Sequence, residues 1–94
     1  MKVYKILHKP TGLFFTPSRG NGNLSKIGKL YPKMPSLKWV ECIKLVVGWT
    51  NKLSKKDLSI IKHFGLKPDE RAGGYFIDTY VHPPIDEWEI IEIE

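Results

Sequence analysis

"LSKKDLSIIKHFGL", residues 53–66, is the stretch on which the fold class turns. Ser54 stands where a helix wants its N-cap. Asp57, three residues on, completes a capping box with Asp in place of the usual Glu or Gln. Leu53 before the cap and Leu58 at the fourth helical position fit a hydrophobic staple. Leu58, Ile61 and Phe64 repeat at helical spacing. Gly65 closes the helix where a left-handed residue is favoured, and Pro68 prevents its continuation. One helix is therefore written clearly into a chain whose other apolar segments read mainly as strands.

Towards the N-terminus, "LKWVECIKL" places Leu37, Val40 and Lys44 on one side of a helix, with Trp39 and Ile43 beside them. Pro35 and Ser36 resemble a helix start, Ser36 being the N-cap. A helix over residues 36–45 is the expectation. "IKLVVGW" also reads as a strand, so the alternatives stay open. "LSKIGKLYP" reads as a small hairpin turning at Ile27 and Gly28, or as a loop leading into a strand at residues 29–31. "SRGNGN" before it reads as a loop.

The first residues are plainer. "KVYKILH" is short and rich in β-branched and aromatic side chains, which makes it a strand. Pro10 and Gly12 then stand as a tight turn requires, and "LFFTP" is a second strand ending at Pro17. Residues 2–17 thus form a hairpin. Towards the C-terminus, "KPDERAGG" reads as a loop, "YFIDTYVH" as an alternating strand, and "EWEIIEIE" as a final strand in which β-branched residues outweigh the glutamates. The sum is α+β. We expect a single small domain over residues 1–94, with a mainly antiparallel sheet of four or five strands and one or two helices on one face.

Composition bounds the function. A chain of 94 residues with 41% hydrophobic and 12% aromatic residues has enough for one core. Its one cysteine, Cys42, excludes an internal disulfide and reads as a buried thiol in a reducing compartment. No stretch reads as a signal peptide or a membrane span, so the expectation is a cytoplasmic protein with no membrane partner. Charge is unevenly placed. Residues 1–50 carry nine Lys/Arg against one acid, and residues 51–94 carry six against nine. The closing "DEWEIIEIE" holds five acids and no base. Two faces of opposite potential follow, unless the acidic strand pairs beside a basic one.

"GNGNLSKI", residues 20–27, has the look of a phosphate loop, but the details fail. A P-loop needs a second Gly five positions after the first, followed by Lys and then Ser or Thr. Here Ser25 stands at the Gly position, and Lys26 is followed by Ile27. The dinucleotide fingerprint lacks its third Gly and its parallel βαβ setting. What remains is a basic loop with aromatic neighbours: Arg19, Lys26, Lys29, Tyr31, Lys33 and Lys38, with Trp39 alongside. Cations neutralise phosphates and rings stack on unpaired bases, so RNA or DNA is one possible target. A protein surface is the other, with an exposed Trp or Tyr as anchor. At least two of Trp39, Trp49 and Trp88 are expected in the core.

Catalytic and metal signals are thin. His8, His63, His82 and Cys42 are the nitrogen and sulfur donors, and no two have a short ligand spacing. No metal or other cofactor is therefore expected. His63 reads as a cation near a helix C-terminus, where the dipole favours it. His82, before two prolines, ends a strand. Nothing local activates Cys42 as a nucleophile. Asp78 and the terminal glutamates read as the solvent face of strands. No catalytic residue is assigned, and the expectation is a protein that is not an enzyme. A terminal strand is free in principle to pair across a dimer.

Three segments carry a resemblance. "KVYKILHKPTGLFFTPSRG", "LSKIGKLYPKMPSLKWV" and "DEWEIIEIE" together resemble small accessory proteins of tailed bacteriophages: a hairpin start, a basic turn leading to Gly-Lys and an aromatic, and a closing Trp-Glu strand. The resemblance covers about half the chain. It implies a small protein made during infection that binds host machinery or blocks a defence system in the bacterial cytosol, as anti-CRISPR proteins do. It implies no catalytic residues.

Overall fold

The computed structural model describes residues 1–17, 22–71 and 73–94. Seven strands form one sheet: β1 (Val3–His8), β2 (Leu13–Pro17), β3 (Gly22–Ser25), β4 (Ile43–Thr50), β5 (Asp69–Arg71), β6 (Gly74–Val81) and β7 (Trp88–Ile93). One helix, α1 (Lys55–Phe64), contributes to the core on one face of the sheet. The class is α+β as expected, with more strands than expected. Spatial order is β5-β6-β4-β3-β2-β1-β7. Every pairing is antiparallel except β3 with β4, which are parallel. No helix among the described residues is long and apolar enough to cross a membrane.

The β1–β2 hairpin forms where proposed, with Gly12 at a positive φ of 71° in the turn. β1 then pairs over its whole length with β7, from Val3 opposite Ile93 to His8 opposite Trp88. The first and last strands are therefore neighbours, and the acidic end lies against the basic beginning. Lys2 and Glu92 form an ion pair at 2.9 Å across that edge. Part of the charge asymmetry cancels there.

β5 and the first half of β3 come from segments read as loops, and the second half of β3, Leu24 and Ser25, from the segment read as a hairpin arm or a loop. β3 begins inside "SRGNGN"; residues 18–21 of that loop lie outside the described part. β5 is three residues of "KPDERAGG" paired onto the edge of β6. Such short strands have no alternation to read and exist because a neighbouring strand offers free backbone groups. A Cβ at Gly22 in β3 would enter the Phe15 ring on β2, so any larger residue there must displace that ring. The proposed strand at residues 29–31 reduces to a single bridge, Tyr31 to Tyr4, with both amides donating across it at 2.8 Å.

The expected helix over residues 36–45 is corrected. Ser36 does cap, accepting from the Lys38 amide at 3.2 Å, but only one 3-10 turn follows, Leu37–Val40. From Ile43 the chain is strand. Its β-branched residues are stiff in a helix, and β4 gains partners on both sides.

α1 is built as its sequence prescribes. The Ser54 hydroxyl accepts from the Asp57 amide at 3.2 Å, and the Asp57 carboxylate accepts from the Ser54 amide at 3.4 Å. Gly65 is left-handed at φ 64°. The stripe is different. Ile60 is buried and Phe64 packs against the core, while Leu58 is half exposed. Leu58 and Ile60 lie on opposite sides of a helix at about 100° per residue. The rotation is set by Phe64, whose ring stacks on His8 with centroids 5.5 Å apart.

The core is one cluster. Alternate residues Ile6 of β1, Leu13 and Phe15 of β2, Leu24 of β3, and Ile43 and Leu45 of β4 meet Val40, Ile60, Val81 and Trp88. Each fully buried aliphatic side chain contributes about 1.5–3 kcal/mol. His8 shares that inward face and is the buried charged or polar residue of the described chain.

Candidate functional site: a histidine–glutamate cluster and a basic apolar surface

His8 occupies the last position of β1, where strand alternation turns it inward. Its side chain is 0% exposed. Phe64 stacks on it, and Trp88 lies at 4.8 Å between centroids. A buried imidazole requires hydrogen-bond partners. The tight turn after β1 supplies one, since His8 Nδ1 lies 2.8 Å from Thr11 Oγ1. The 3-10 turn before β7, Ile85–Glu87, supplies the other, since His8 Nε2 lies 2.9 Å from Glu87 Oε1.

His63 reaches the same oxygen. Its Nε2 is also 2.9 Å from Glu87 Oε1, from the last turn of α1. The two imidazoles meet edge to face at 5.0 Å. One carboxylate oxygen therefore accepts from two ring nitrogens. His63 and Glu87 side chains are 27% and 23% exposed, so the cluster is sealed behind His8 and open in front. One donor atom from each of the three residues lies within 4.8 Å of the others.

Burial pushes the His8 imidazole below its ordinary value, outweighing the Glu87 carboxylate that would raise it. His8 is thus neutral at pH 7, with Nε2–H donating to Glu87 and Nδ1 accepting from Thr11. Burial pushes Glu87 up, but hydrogen bonds from His63 and His8, with their charge, hold the carboxyl below its usual range.

Spacing along the chain does not reveal this cluster, because its members come from a strand end, a helix end and a 3-10 turn. The terminal glutamates are expected on the solvent face of the last strand; Glu87 instead sits just before that strand and faces both histidines. His63 is near the helix C-terminus as expected, and has a specific partner there. His82 is exposed just past β6.

The residues singled out for binding divide. Lys26, Lys29, Lys33 and Lys38 are exposed. Arg19 lies outside the described residues. Tyr31 departs from the expectation: it is 8% exposed and belongs to the core, so its ring is not a free stacking platform. Its face carries Lys29, with Nζ 5.5 Å from the centroid, and its neighbour at 5.5 Å is Trp39. The tryptophans also differ from expectation. Trp88 alone is buried, and Trp39 and Trp49 are about half exposed. Chain segment 26–39 thus interleaves four lysines with exposed Ile27, Leu30, Met34 and Trp39. A cleft of about 510 Å³ beside it is lined by Lys26, Ile27 and Gly28, and by Ser54 and Lys56 at the start of α1.

No family model matches this chain, and neither a curated protein nor a solved structure matches it.

Proposed function

We propose that the protein is a non-enzymatic binding module that docks on another protein through segment 26–39 and the adjoining cleft. The observation that carries this reading is the exposure of Ile27, Leu30, Met34 and Trp39 among four lysines. Exposed apolar side chains within a charged rim are the composition of a protein interface, where a few aromatic or aliphatic anchors carry the affinity. The lysines select a partner surface that is acidic around an apolar centre. The resemblance to phage accessory proteins makes the partner a bacterial host protein, such as a component of a defence or nucleic-acid-processing complex.

Direct binding of RNA or DNA is the second reading, supported by the same lysines. It is weakened by the burial of Tyr31, which leaves Trp39 as the exposed aromatic of the segment.

The test compares wild type with Trp39→Ala and with Lys26→Glu/Lys29→Glu. Each is used to capture proteins from nuclease-treated bacterial extract. The captured protein is then purified and titrated. Saturable binding lost in both variants supports the reading. Binding unaffected by either variant overturns the surface. Binding of labelled RNA or DNA instead, with affinity falling steeply with salt, replaces it with the second reading.

A further inference from the structure

We propose that His8, His63 and Glu87 form a binding site for one divalent transition-metal ion of the zinc class, which staples α1 to the end of β1. This goes beyond the docking function and is independent of it.

The donor set is the first argument. Two imidazole nitrogens and one carboxylate oxygen are ligands that suit zinc and its neighbours, whereas magnesium and calcium call for oxygen donors throughout. Three protein ligands leave a fourth tetrahedral position for water. That position faces outward, because His63 and Glu87 are partly exposed while His8 is sealed.

Geometry is the second. Both Nε2 atoms already point at one carboxylate oxygen from 2.9 Å. A tetrahedral ion with bonds of about 2.0–2.1 Å separates its ligand atoms by roughly 3.3 Å. The donor atoms lie within 4.8 Å of one another, so adjustment of three side chains suffices. In the metal-free protein the Nε2 protons fill the place of the ion.

The third is the support around His8. A metal-bound histidine usually donates its other ring N–H to an oxygen that fixes its orientation. Thr11 Oγ1 occupies that place at 2.8 Å from Nδ1. On binding, His8 changes tautomer: the proton leaves Nε2, and Nδ1–H donates to Thr11. Phe64 and Trp88 exclude water from the ring and hold it in position.

Topology gives the site its purpose. The three ligands come from the end of β1, the end of α1 and the turn before β7. α1 is ten residues long and belongs to none of the sheet pairings. With one cysteine this chain has no internal disulfide that could make that link.

The test uses the full chain with any affinity tag removed, stripped with a chelator and dialysed. Zinc is titrated by calorimetry and thermal unfolding, and cobalt(II) by visible absorption. The expected result is one ion per chain, a rise in midpoint of roughly 10 °C at a hundredfold excess over Kd, and cobalt d–d bands of a tetrahedral site. His63→Ala and Glu87→Gln should abolish the bands and the thermal shift. Thr11→Val should weaken affinity by about 10–100-fold. His82→Ala should bind as wild type. His63 and Glu87 are partly exposed, and circular dichroism of the metal-free variants verifies their fold. Wild type without stoichiometric binding, or His63→Ala binding as tightly as wild type, overturns the proposal.

Discussion

His8 and Glu87 are 79 positions apart in sequence, and their side chains meet at 2.9 Å between Nε2 and Oε1. The contact exists because β1 and β7 are neighbours and pair as far as His8 opposite Trp88. The residue just before Trp88 is thereby held beside the buried imidazole. Removing the carboxylate leaves two ring N–H groups without an acceptor, one of them fully buried. Glu87→Ala should cost about 2–3 kcal/mol of stability in the metal-free protein, and Glu87→Gln less, since its amide oxygen still accepts. Denaturant titration measures both.

Acid should destabilise the metal-free protein in two stages. His8 is held below its ordinary value of 6.5, so the unfolded chain takes up its proton first as pH falls. The stability it contributes is complete above about 6.5 and is lost as pH falls through the lower folded value. Glu87 is held below its ordinary value of 4.5, and its contribution is complete above that and lost below it. Thermal midpoints should be level from neutral pH to about 6.5 and should then decline, with a further decline below 4.5. A midpoint that rises between pH 7 and 5.5 would contradict a buried neutral His8.

The face that α1 presents to the core is testable with two substitutions. Ile60→Ala removes a 3% exposed side chain and should cost about 2–5 kcal/mol. Leu58→Ala acts on a half-exposed side chain and should stay within about 1 kcal/mol. Equal costs would mean that Leu58 packs inward.

Gly22 and Phe15 should behave as one unit. Gly22→Ala forces the Phe15 ring off its position and should cost about 1–3 kcal/mol. In the Phe15→Leu background the cost should fall, giving a coupling of at least about 0.5 kcal/mol in a double-mutant cycle. Additive costs would show that the β2–β3 contact is looser than described.

Features whose physics is local are legible along the chain. The capping box of Ser54 and Asp57 and the left-handed Gly65 define α1 within a dozen residues, because caps satisfy backbone groups one turn away. The hairpin of β1 and β2 is equally local: alternating strands and a turn at Pro10 and Gly12. The lysines of segment 26–39 are exposed for a comparably simple reason, the cost of burying a charge.

The remaining features arise from long-range pairing and packing. β3 and β5 carry too few residues to show a period and became strands by pairing. Residues 36–45 had two local solutions; a 3-10 turn formed at Leu37–Val40, and neighbours on both sides of β4 selected the strand from Ile43 onward. Tyr31 and Trp39 look alike in sequence, yet a bridge to Tyr4 drew one into the core and left the other exposed. The histidine–glutamate cluster is the fullest case. No spacing links positions 8, 63 and 87; only sheet order and helix rotation place their donor atoms together. Pairing and packing join residues without regard to their separation along the chain, and that information is carried by the whole sequence at once rather than by any one stretch.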